Sequence, residues 1–187
     1  MNAPEFSLTN YLKTLEANIE TILSRHQKDV LTYDILDTEK TKQHKLMVLK
    51  EKQRQMKVGE IWQEVLGSYN SFSNLKTGDD TGLDILSHTK KIVLELKNRT
   101  NTDNASSKKS NLDKLATFKK NNPDYICIYA NINANSKEKT LSGSIKKIQH
   151  NGQELEHHTG YAFLKFILED DCDVIIEFVK TTIDKYS

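Results

Sequence analysis

Asp84, Glu95 and Lys97 are the residues whose types and spacing could do chemistry together. They fall in two short segments with strand-like patterning, Gly82-Leu83-Asp84-Ile85-Leu86 and Ile92-Val93-Leu94-Glu95-Leu96-Lys97, around Ser87-His88-Thr89-Lys90, which reads as a turn. Strand side chains alternate, so Glu95 and Lys97 share one face while Ile92, Leu94 and Leu96 share the other. With the turn centred on His88-Thr89, Asp84 lies opposite Val93 on the face of Glu95 and Lys97. Leu83 and Ile85 then meet Leu94 and Ile92 as a continuous apolar face for the core. Asp84 and Glu95 become diagonal neighbours, roughly 7 Å apart at their Cβ atoms. Two carboxylates so placed can converge on one hard cation, whose oxygen ligands sit at about 2.1 Å for magnesium. Lys97 would set an ammonium beside it. The plainer alternative is a surface cross-strand salt bridge, worth about 0–1 kcal/mol.

The wider context favours chemistry. Asp84 followed by Glu95-Leu96-Lys97 resembles the signature of the PD-(D/E)XK nuclease superfamily, in which such a hairpin follows a helix. More narrowly, Gly59-Glu60-Ile61-Trp62-Gln63-Glu64-Val65-Leu66-Gly67, the run Glu95 to Ser107, and Ile148-Gln149-His150-Asn151-Gly152-Gln153-Glu154-Leu155 to Thr159-Gly160 resemble a family of type II restriction endonucleases. The likeness extends over about residues 57–168. Leu83 stands where the superfamily signature has its proline, a change that the superfamily tolerates. The resemblance implies that Asp84, Glu95 and the backbone carbonyl of Leu96 hold Mg²⁺, and that Lys97 orients the attacking water and steadies charge on the phosphate. It also implies in-line cleavage of duplex DNA that leaves 5′-phosphates. Glu60 and Glu64, on the preceding helix, are candidate accessory carboxylates.

Beyond Lys97 the chain turns polar, and Asn98 to Ser110 reads as a long loop leaving the active strand. Asn98, Arg99, Asn101, Asn104, Ser106, Ser107, Lys108 and Lys109 are its candidate DNA contacts. Asn can read adenine and Arg guanine through paired hydrogen bonds, whereas Ser and Lys suit phosphates. Arg99 and Asn101 are the foremost of these, with Lys108 and Lys109 on phosphates. His157-His158 reads as a surface pair, because neighbouring residues diverge and no third ligand stands at metal spacing. Asp79 and Asp80 read as turn residues. Cys127 reads as an inert core thiol.

The elements that must position this cluster are legible in outline. Leu8, Leu12, Leu15, Ile19, Ile22 and Leu23 recur at helical spacing, with Thr9 or Asn10 as the cap. A second helix is expected over 38–66, with a break near Lys57-Val58-Gly59. Ser68 to Asp80 reads as a loop and Leu112 to Lys120 as a helix. Tyr125 to Ala130 is a buried strand, Ser142 to His150 holds another, and 161–169 and 173–185 are helices. The expected fold is α/β (α+β), a mixed central sheet flanked by helices. The chain reads as one nuclease domain, with 1–56 a helical region for dimerisation or DNA grasping and 57–187 the catalytic core.

Composition limits the alternatives. In 187 residues, 27 Lys and Arg face 26 Asp and Glu, which speaks against a polybasic coat protein. That balance hides segregation: residues 42–57 hold six basic and one acidic side chain, 97–120 seven and two, and 154–187 three and eight. Two cysteines cannot build a disulfide framework or a four-ligand zinc site. The seven glycines form no phosphate loop, so no nucleotide cofactor is expected. No signal peptide or membrane span is read, and the expected location is cytoplasmic. The partners expected are double-stranded DNA and a second copy of the chain, since two-fold proteins read two-fold sites. Two rival readings stand: a structure-specific repair or recombination nuclease of the same superfamily, and a non-catalytic DNA-binding module with a degenerate core.

Overall fold

A computed structural model describes residues 6–25, 31–75, 78–99, 104–133 and 142–186. Helix α1 spans Leu8–Ser24 and buries Tyr11, Leu15, Ile19 and Ile22, one stripe at spacings of three and four. Its cap is Ser7, whose side chain accepts from the Asn10 N–H, rather than Thr9 or Asn10. Helix α2, Glu39–Gly67, is capped by Thr38 and runs 29 residues without the break expected near Gly59. A Cβ added at its interior Gly59 would meet only open space, so no close approach requires glycine there. Only Ile61, Val65, Leu66 and Gly67 of α2 are buried, while Leu46, Met47 and Val48 in its first half and Met56 just past its middle stay exposed. The helix is about 43 Å long at 1.5 Å per residue, so most of it is an arm beyond the core.

Strands β1 (Ser73–Asn74), β2 (Ile85–Ser87), β3 (Ile92–Arg99), β4 (Ile126–Asn133), β5 (Ser144–His150) and β6 (Gln153–Thr159) form one sheet in the order β1-β2-β3-β4-β6-β5. The central strands β3, β4 and β6 are parallel, and the other pairings are antiparallel. Helices α3 (Ala105–Asn121), α4 (Gly160–Leu168) and α5 (Cys172–Tyr186) complete the chain. This is the mixed sheet between helices that the sequence led us to expect.

Two apolar clusters sandwich the sheet. On one face Ile85, Ile92, Leu94, Ile128, Ala130 and Ile132 pack against α1, α2, α4 and α5, with Phe163, Leu168 and Ile175 at the centre. On the other, Val93, Cys127, Tyr129 and Leu155 pack under Leu115 and Ala116 of α3. Both clusters exclude water from β3, which is why every residue from Ile92 to Glu95 is buried.

Two expectations are corrected here. The stretch from Asn98 to Ser110 is not a long loop, because β3 continues to Arg99 and α3 starts at Ala105. Residues 105–110 of α3 are Ser and Lys after a single Ala and lie exposed, so they lack the apolar rhythm that betrays a helix. Strand β6 carries no strand signal in the sequence, since Gln-Glu-Leu-Glu-His-His-Thr has no β-branched residue before its end. On it His158 is fully buried against Phe163 and Phe166, and His157 is half-buried, so neither is the surface residue expected.

Candidate functional site

The hairpin that carries the cluster is shifted two residues from the expected register. Ile85 pairs with Leu94, Leu86 with Val93 and Ser87 with Ile92, and the turn runs through Lys91 in a left-handed conformation, φ 54°. An even shift preserves the faces of β3, so Glu95 and Lys97 still point together. The partner strand does not stay regular, however. The Asp84 N–H donates to the Leu94 carbonyl at 3.1 Å, although Ile85 already opposes Leu94. Two residues against one is the arrangement of a β-bulge, which turns side chains away from their regular faces. In consequence Leu83 packs with Leu86 and Val93 beneath α3 instead of joining Ile85 on the opposite face.

The bulge brings the Asp84 side chain to the end of the ladder. Its Oδ2 accepts from the Leu96 N–H at 2.7 Å, in place of the carbonyl that a longer β2 would have supplied. Alternate residues of a strand direct both backbone groups to the same neighbour, so the Leu96 carbonyl lies on this edge as well. Glu95 is 3 % exposed, not on an open hairpin face. Its Oε1 accepts from the Lys97 ammonium at 2.7 Å, while Oε2 is buried with no hydrogen-bond partner. Burial pushes the Glu95 carboxyl above its ordinary pKa, and the neighbouring Asp84 charge pushes the same way; Lys97 and Lys114 oppose them. A buried carboxylate oxygen with no donor costs roughly 1–3 kcal/mol or more. Such a group sits poorly in the protein alone and well beside a cation.

The donor set is all oxygen: two carboxylates and a strand carbonyl. That chemistry fits a hard divalent ion and not zinc or copper. No group of three or more His, Cys, Asp or Glu that could hold a metal occurs among the described residues. The site therefore rests on two acids and the backbone.

The remaining candidates scatter. Glu60 is ion-paired to Arg25 at 3.1 Å, and Glu64 accepts from Asn18 at 2.7 Å and Asn74 at 3.5 Å, contacts that turn both toward α1 and β1. Asn98 donates to the Gln55 carbonyl at 3.3 Å and accepts from Asn133 at 2.8 Å, tying α2 to the ends of β3 and β4. Asn104 caps α3 by accepting from the Ser107 N–H at 2.8 Å. Ser106, Lys108 and Lys109 stand exposed on the first turns of that helix. Asn101 and the side chain of Arg99 lie outside the described residues. Asp79 closes a turn by accepting from the Thr81 N–H. Along α2, Lys42, Lys45 and Arg54 pair with Glu39, Asp37 and Glu51, and Lys57 donates to the Leu23 carbonyl.

Sequence reasoning passed over Asn131. It is 3 % exposed on β4, lies in register with Lys97, and its Nδ2 is 2.9 Å from Nε2 of His157. A polar residue within an apolar strand run, Tyr125 to Ile132, was the available signal.

A family model described as Eco47II restriction endonuclease matches residues 5–184. No curated protein and no solved structure gives a significant match.

Proposed function

The chain belongs to the Eco47II restriction endonuclease family, and from that membership we propose a Mg²⁺-dependent enzyme that cuts double-stranded DNA at a short palindromic site and leaves 5′-phosphates. The observation that carries the proposal is the convergence of Asp84, Glu95 and Lys97 at the bulged end of the β2–β3 hairpin, with Glu95 Oε2 buried and unpartnered.

Asp84, Glu95 and the Leu96 carbonyl would hold the metal. When bound, Mg²⁺ supplies Lewis-acid polarisation of a phosphate oxygen and makes water more acidic. The chain's own contribution is positional. Asp84 is clamped by the Leu96 N–H, so its carboxylate is oriented before any ligand arrives. Lys97, only 23 % exposed along its side chain, is held by Glu95. The Lys97 ammonium would orient the attacking water and stabilise the charge growing on the phosphate. The buried position of Glu95 keeps bulk water from screening that interaction.

The N-terminal region, residues 1–56, is proposed as the dimerisation or DNA-grasping element, and 57–187 as the catalytic core. Exposed Ile35, Leu36, Leu46, Met47 and Val48 on and before the projecting half of α2 support a second copy as its partner. Lys108 and Lys109 remain proposed phosphate contacts, with Ser106 and Ser107 beside them; Asn98, Arg99, Asn101 and Asn104 remain proposed DNA contacts. Glu60 and Glu64 remain proposed accessory carboxylates, each requiring release from its present partner.

Digestion of a plasmid tests the whole reading. Discrete bands are expected with Mg²⁺ and none with EDTA, and Lys97→Ala is expected to be silent. Random degradation, cutting only at branched junctions, or cutting in EDTA would overturn it.

A further inference from the structure

One polar row on the α3 side of the sheet is not used by the proposed chemistry. Glu95 lies in register with Tyr129, Tyr129 with His157, and His157 with Lys146, so these four cross β3, β4, β6 and β5 in a line. Asn131, next along β4, donates through Nδ2 to Nε2 of His157 at 2.9 Å. An accepting Nε2 fixes the neutral tautomer that carries its proton on Nδ1. The Tyr129 ring lies 5.6 Å from the His157 ring, and the Lys108 ammonium stands 5.7 Å from the Tyr129 centroid. The first turn of α3 and the middle of β5 thus bring two ammoniums to one imidazole.

The charges around His157 are one-sided. Burial, Lys108, Lys146 and the neighbouring His158 all disfavour a proton on the ring. Neither Lys108 nor Lys146 makes an ion pair among the described residues, and Glu156, adjacent to His157 in the chain, is taken by His158 at 2.6 Å. Half-burying a histidine between two unneutralised ammoniums is unfavourable for the protein by itself and favourable for an anion seated there. Two strand spacings separate His157 from Glu95, about 10 Å. That separation puts an anion held at His157 beside the proposed metal ligands and not on them.

We propose that His157, oriented by Asn131 and joined by Lys146 and Lys108, forms a subsite for a DNA backbone phosphate beside the scissile position. The subsite rests on the nuclease reading above. Its role is to fix the register of the strand across the metal ligands. It explains why a buried Asn and a neutral His occupy the two strands next to the catalytic one. Asn131 is a positioning residue, acting through the tautomer of His157, and the contact itself belongs to His157 and the two lysines.

The test uses the full chain and a duplex that carries the cleavage site mapped by plasmid digestion, with Ca²⁺ replacing Mg²⁺ for binding. Loss of one charge-assisted contact weakens affinity by about tenfold or more. His157→Ala and Lys146→Ala are each expected to show that loss, with His157→Gln recovering part of it through its amide donor. Lys146→Ala should also lower the log–log salt slope by about 0.9. Under Mg²⁺ the same variants should show their main effect in KM, whereas Lys97→Ala acts on kcat. Independently of any variant's folding, wild-type protein should lose about tenfold on a duplex with one neutral methylphosphonate at the flanking linkage. His157→Ala should lose nothing further there. Unchanged affinity and slope in both variants, or fully additive losses on the neutral linkage, would overturn the subsite while leaving the nuclease assignment intact. Wild type that neither binds nor cuts the duplex would overturn both.

Discussion

Glu95→Gln is expected to make the protein more stable while abolishing cleavage. The substitution keeps the shape of the side chain and the acceptor for Lys97 but removes a charge buried to 3 % exposure beside Asp84. Leaving Oε2 unpaired in the interior costs roughly 1–3 kcal/mol, and the Lys97 bond loses about 1 kcal/mol when its acceptor becomes neutral. The Gln NH2 that replaces Oε2 meets no acceptor either, but as a neutral group it costs less than the charge, so the net gain is at most about 1 kcal/mol, or roughly 2–4 °C in Tm for a chain of this size. The pH dependence provides a second check. Because the folded-state pKa of Glu95 is raised, the native protein binds this proton more readily than the unfolded chain. Protonated Glu95 therefore contributes stability that is complete below its ordinary pKa and is lost as pH rises through the raised one. The advantage of the Gln variant should grow as pH rises through the raised pKa and should vanish below the ordinary carboxylate range. Thermal unfolding by circular dichroism at several pH values, without divalent ions, measures both effects. A Gln variant less stable than wild type at pH 7.5, or a difference independent of pH, would refute the claim that this carboxylate is held at a net cost.

Adding Mg²⁺ should raise the Tm of wild type but not of Glu95→Gln; at tenfold excess over its Kd the gain is about 1.4 kcal/mol, readable by the same unfolding assay. Lys97→Ala should lower the single-turnover cleavage rate by about 10²–10³ while retaining the wild-type circular dichroism spectrum. At sub-saturating Mg²⁺ the rate of cleavage should fall on the acid side from a pH above the ordinary carboxylate range, because the metal must displace the proton that metal-free Glu95 holds, and a pH–rate profile at low Mg²⁺ locates that limb. Gly143→Ala should destabilise the fold by about 2 kcal/mol or more, because φ is +69° and the added Cβ would collide with the Thr159 carbonyl; chemical denaturation would register it.

The catalytic strand was legible because alternation is a property of sequence alone: Glu95 and Lys97 had to share a face whatever the pairing. The pairing itself was not legible. No Gly or Asn-Gly marks the turn, and Lys91 takes the left-handed position without a residue type to announce it. The bulge at Asp84 was equally hidden, since it depends on which Leu94 backbone bond forms and not on any pattern within Gly82 to Leu86. Helix α3 began two turns earlier than its apolar residues suggested, although Asn104 before Ala-Ser-Ser is a cap signal that could have been used. The basic excess of 42–57 described composition well and the surface poorly, because four of its cations are tied to neighbours.

Asp84 does two jobs through one bond, and this sets how the site could change over time. Its Oδ2 completes the sheet edge that fixes the backbone of Leu96, the residue between the two side chains of the signature. A lineage that lost cleavage would still be under pressure to retain an acceptor at this position, so an intact aspartate is poor testimony to activity. Glu95 carries the opposite bias: once cleavage is no longer selected, a neutral residue there is favoured by stability alone. The first mark of decay in a relative should therefore appear at the glutamate, with the aspartate surviving as a fossil of the fold.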